Sequence, residues 1–125
     1  MTTNAFQQTE PQSWPSGHGE AVAILAYSPD TLESRYGLRF FEGDDNLDSY
    51  VAAAIRLGSG RRVGLLRHRG TPASGTELRV DATDDFLEAI REFLDAFDLT
   101  VDGLRWVRDD VPLDHLRLAV DSAGR

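Results

Sequence analysis

Five arginines stand between Ser49 and Thr76 with no carboxylate among them: Arg56, Arg61, Arg62, Arg67 and Arg69. A guanidinium presents a fork of donors that matches phosphate or carboxylate oxygens, so Arg61, Arg62, Arg67 and Arg69 form a candidate anion-binding ribbon. The opposite charge gathers further along the chain. From Thr76 to Arg125, thirteen Asp/Glu face six Arg, and Asp84, Glu88, Glu92 and Asp95 recur at the spacing of one helix stripe. Such a stripe suits recognition of a basic protein by charge complementarity, which makes these four the candidate partner-binding residues. The one cation near them at helical spacing is Arg91, three residues after Glu88 but read as pointing to another side.

Other chemistry is tested and fails on spacing. The three histidines, His18, His68 and His115, are dispersed and form no H-x-x-x-H pair, and no cysteine occurs; a metal site therefore lacks a signature. His115, beside Asp114, is the better general-base candidate, yet no nucleophile accompanies it. Residues 44–48 (DDNLD) begin like a calcium loop, but Ser49 stands where the loop's glycine belongs and Ile55 where its bidentate glutamate belongs. Gly58-Ser59-Gly60-Arg61-Arg62-Val63-Gly64 resembles a phosphate loop only superficially, because a strand pattern follows it and the chain contains no lysine. No catalytic residue, metal ligand or cofactor is assigned.

The elements that position these residues follow from periodicity. Ala21 to Tyr27 is a continuous apolar run, read as a central strand covered on both faces. Ser28-Pro29-Asp30 supplies an N-cap, a proline at the first helical position and a first-turn acid, with Gly37 as the stop; residues 29–36 are a short helix. Residues 38–42 (LRFFE) read as a strand before a turn. Residues 49–57 suit either helix or strand. The hairpin is preferred, because Gly58-Ser59-Gly60 leads directly into 61–68. Residues 76–81 alternate as a further strand. Phe86, Leu87, Ile90, Phe93, Leu94 and Phe97 then trace a long amphipathic helix from about Asp84 to Phe97, with Thr83 as its N-cap. Residues 104–108 form another strand, and 112–121 read equally as helix or strand.

These elements amount to a single α+β domain over residues 20–125, a mostly antiparallel sheet with one long amphipathic helix packed on it, preceded by an irregular arm over 1–19. At 125 residues, with 41% hydrophobic and 27% charged residues, the chain suits one globular core. Its longest apolar run falls well short of the ~20 residues of a membrane-spanning helix. The lack of cysteine and of a signal-like start points to the cytoplasm, with no membrane partner. A net charge of −8 repels phosphate at long range and makes nucleic acid an unlikely partner.

The function expected on these grounds is a non-enzymatic module that binds another protein, like an immunity, inhibitor or chaperone-like protein. Two alternatives remain. One is a small enzyme or ligand-binding domain with a pocket between helix and sheet; the other is nucleic-acid binding through the arginine-rich hairpin.

Overall fold

A computed structural model describes residues 5–10, 19–44, 49–69, 75–112 and 114–116. Seven strands form one antiparallel sheet: β1 (Phe6–Thr9), β2 (Glu20–Leu25), β3 (Phe41–Asp44), β4 (Ser49–Leu57), β5 (Arg62–His68), β6 (Thr76–Val80) and β7 (Leu104–Val107). Their spatial order is β1-β4-β5-β6-β2-β7. β3 shares an edge of β4 with β1, pairing with residues 49–52 while β1 pairs with 54–57. Two α-helices, α1 (Pro29–Tyr36) and α2 (Phe86–Ala96), and a short 3₁₀ helix (Val101–Gly103) accompany the sheet.

Local chemistry accounts for α1. Ser28 Oγ accepts the Thr31 N–H, Pro29 opens the helix, and Gly37 closes it in the left-handed region at φ 71°. The β4–β5 hairpin is present, so the alanine-rich 49–57 segment is strand; β sheet pairing on both edges overrides the helix preference of alanine.

Four expectations are corrected. The arm over 1–19 is not wholly irregular. Gln7 to Thr9 have no decisive pattern of their own, but β4 offers them an edge, and the Phe6 ring stacks on Phe97 at 4.2 Å between centroids. The third strand starts at Phe41 rather than Leu38, because side chains satisfy the backbone before it. Gln8 Nε2 donates to Arg39 O (2.5 Å), Gln8 Oε1 accepts the Arg39 N–H (2.9 Å), and Glu33 Oε2 accepts the Phe40 N–H (2.9 Å). The long helix is shorter than expected, with eleven residues, and is capped by Asp85, which accepts the Glu88 N–H, rather than by Thr83. Asp84 lies outside it because Asp84 N–H closes a turn onto Asp81 O while its carboxylate is engaged elsewhere. Finally, α2 does not pack alone: Tyr36 of α1 lies 4.7 Å from the Phe97 ring and donates its hydroxyl to Phe97 O, so both helices cover one face. Burial raises the Tyr36 pKa above its ordinary value and keeps that donor protonated.

The core lies between this helix layer and one face of the sheet. Ile55, Val63, Leu65 and Leu78 from the strands meet Leu32, Ile90, Phe93 and Leu94 from the helices, all essentially inaccessible to water. The opposite face carries a row read directly from the register: Phe41, Ala52, Leu66, Glu77, Ile24 and Trp106 stand side by side across six strands. Its two ends, Phe41 and Trp106, are the exposed large apolar residues among those described.

At the end of α2, Asp98 N–H donates to Asp95 O and Leu99 N–H to Leu94 O, the paired bonds of a Schellman cap. Asp98 takes the left-handed position at φ 55°, where glycine is the usual residue. Asp98→Gly should therefore raise stability by about 1 kcal/mol, by removing both a side-chain clash and an anion from the negative end of the helix dipole. Urea denaturation checks this; an unchanged or lower midpoint would contradict the account.

Of the tail, residues 114–116 are helical and Leu116 N–H donates to Pro112 O, with Leu116 in the core. Residue 113 and residues from 117 onward lie outside the described residues, as do His18 and the 45–48 part of the acidic loop.

Candidate functional site

The two charge sets that the sequence keeps apart meet at one place. The hairpin turn after β4, closed by Leu57 N–H to Arg61 O and Gly60 N–H to Leu57 O, aims Arg61 at the outer side of α2. Arg61 Nε donates to both oxygens of Asp84 (2.9 and 3.2 Å), and Arg61 Nη1 donates to Glu92 Oε1 (2.8 Å). From the same turn, Ser59 N–H and Ser59 Oγ donate to Glu92 (3.1 and 2.8 Å). The three ionised side chains are only 16–19% exposed. Burial works against the Arg61 charge, but hydrogen bonding and attraction from Asp84 and Glu92 outweigh it and hold its pKa above the ordinary value. We call this arrangement a clasp, since it ties the β4–β5 turn to the residue before the N-cap of α2 and to the middle of that helix.

The rest of the acidic stripe divides. Glu88 Oε1 accepts from Arg91 Nε (2.9 Å) and from Arg91 Nη2, so Arg91 does reach the stripe, contrary to the sequence reading. An i, i+3 spacing is close enough once the long guanidinium stem bends back along the helix. The Asp95 side chain is exposed and its carboxylate makes no hydrogen bond or close ion pair among the described residues, although it attracts the Arg91 charge one turn earlier. Hydrogen bonding from Arg91, opposed in part by burial, lowers the Glu88 pKa from 4.5. A lowered carboxyl pKa stabilises the fold at pH above the unfolded value, and that contribution disappears as pH falls through the folded value. Acid unfolding should thus be partly relieved of its pH dependence below about pH 4.5 in Glu88→Gln. Superimposable stability–pH curves for the two proteins would contradict this.

The arginine ribbon is largely occupied from within. Besides the clasped Arg61, Arg62 Nη2 approaches Asp81 Oδ2 at 3.4 Å, Arg67 Nη1 donates to Gly75 O at 3.0 Å, and Arg69 pairs with Glu42. Arg56, directly opposite Arg62 on β4, is exposed. His68 packs edge-on against Tyr50 and lies 3.8 Å from Glu77, while His115 is exposed on the 114–116 turn. Neither joins the clasp.

Beside the clasp lies an open groove of about 510 Å³, lined by Ala5, Gly58, Ser59, Arg61, Glu88, Arg91, Glu92, Asp95 and Ala96. Ser59 Oγ donates to Glu92, whose carboxylate also receives Arg61 and the Ser59 N–H, so the hydroxyl is engaged in the clasp. Among the described residues no group of three or more His, Cys, Asp or Glu is placed to hold a metal ion, and no helix is long and apolar enough to cross a membrane. Of the residues lining the groove, the sequence singles out Arg61, Glu88, Glu92 and Asp95 as candidates but not Ser59, Ala5 and Ala96, whose places beside them depend on contacts across the fold. Compared with known proteins, the chain matches no family model, no curated sequence and no solved structure.

Proposed function

We propose that the protein is a non-enzymatic module that binds another protein, of the immunity or inhibitor type, works in the cytoplasm, and meets a basic partner with the outer side of α2. The observation that supports this reading is the distribution of used and unused charge. Asp84, Glu88 and Glu92 are held in place by Arg61, Arg91 and Ser59, which fixes a rigid acidic frame, while Asp95 is left open on it. Preorganised charge of this kind speeds association and adds specificity. The test is the kinetics of association with a partner captured from the native host. Glu88→Gln combined with Asp95→Asn should slow the on-rate several-fold at low salt, and the difference should shrink at high salt. A partner whose on-rate ignores both the substitutions and the ionic strength sinks this role for α2.

Nucleic acid is the weaker reading because Arg61, Arg62 and Arg69 each sit on a carboxylate. Binding to a random duplex should be weak. Submicromolar, salt-sensitive binding that Arg56→Ala with Arg62→Ala abolishes would restore it.

A further inference from the structure

Resting on the protein-binding reading, we infer that the groove beside α2 is a docking subsite for one arginine side chain carried on an extended basic segment of the partner, with Asp95 as the receiving carboxylate. The floor is small and apolar. Ala5, Gly58 and Ala96 line it, and the Gly58 N–H donates to Ala5 O, which fixes the wall opposite the helix. A weakly hydrated, planar guanidinium can lie on such a surface at lower desolvation cost than an ammonium.

Charge complementarity selects the cation. Helix C-termini favour positive side chains, yet the last turn of α2 contains no basic residue and instead carries Asp95, with Asp98 just beyond. The negative end of the dipole and the Asp95 carboxylate are left together on the wall of the groove. Both Asp95 oxygens are unused, so they can accept a bidentate fork, and Glu88 Oε2 has no partner on the same wall. The groove's own arginines do not bond Asp95: Arg61 is held by Asp84 and Glu92, and Arg91 bonds Glu88 while attracting Asp95 only at longer range. The clasp also keeps the wall in position before the partner arrives, which reduces the ordering cost of binding.

The experiment uses the full chain and a fluorescent short peptide alternating arginine and serine, with lysine and glutamate versions as controls. Anisotropy should show saturable binding of the arginine peptide, tighter than the lysine peptide by about threefold or more. Asp95→Asn should weaken it by about tenfold, whereas Asp30→Asn, the same charge change on the exposed side of α1, should leave it within about twofold. Ala96→Gln, which fills the groove without altering charge and suits a helix, should weaken it comparably. Amide shifts should centre on Ser59, Asp95 and Ala96. Equal losses for Asp95→Asn and Asp30→Asn, or shifts centred away from the groove, would overturn the subsite. No saturable binding of the arginine peptide would overturn it too. The partner-kinetics test bears on the module reading separately, since a native partner docking elsewhere still shows specific, saturable association.

Discussion

Phe93→Ala should cost about 3–5 kcal/mol of stability, the range for removing a fully buried aromatic ring and leaving a cavity. Phe93 is inaccessible to water, stacks on Phe97 at 4.3 Å between centroids, and stands at the centre of the buried stripe of α2. Phe97 in turn meets Phe6 and Tyr36, so a single ring stack joins α2 to β1 and α1. Losing Phe93 leaves Phe97 without its inner neighbour and loosens three elements together. Urea unfolding measures the loss directly; a value below about 1 kcal/mol would show that the stack can collapse without penalty. Phe93→Leu, which keeps most of the volume, should cost clearly less.

Arg61→Ala should be the second most damaging change, at about 2–3 kcal/mol. Asp84 and Glu92 keep less than a fifth of their side-chain surface in water, and removing the cation leaves two anions facing each other. Breaking a fully buried pair costs roughly 3–5 kcal/mol, and the residual exposure here reduces the penalty. The desolvated carboxylates, rather than the lost attraction, dominate the effect. Adding Asp84→Asn and Glu92→Gln to Arg61→Met should consequently recover much of the stability, because the anions are removed together with their partner. A cycle in which the losses simply add would show that the clasp is not a unit. The same variant bears on function: without the clasp the β4–β5 turn is no longer tied to α2, so arginine-peptide binding should weaken even though Arg61 itself is positive.

The division between what the sequence shows and what the fold decides follows the reach of each interaction. Ser28, Pro29 and Gly37 delimit α1 through contacts within a few residues, and the apolar period of Phe86, Ile90, Phe93 and Leu94 identifies α2 because every turn of a helix repeats the same test. The Gly58-Ser59-Gly60 turn likewise marks the hairpin that carries Arg61. Even there the helix start was misplaced, since Thr83 and Asp85 are both good caps and only the engagement of Asp84 by Arg61 selects the second. β1 had no legible pattern because a short edge strand is defined by its neighbour, and that neighbour, β4, follows it by some forty residues in the chain. The acidic stripe and the arginine ribbon were each visible as separate sets of like charge. What no local rule contains is their encounter: Arg61 and Glu92 are 31 residues apart in sequence, and only the packing of α2 over the sheet brings them within 2.8 Å. The residue types of the site and the local Glu88–Arg91 pair were therefore determined by the sequence, whereas the pairing of Asp84 and Glu92 with Arg61 was decided by tertiary structure, because ion pairs depend on distance in space and not on separation along the chain.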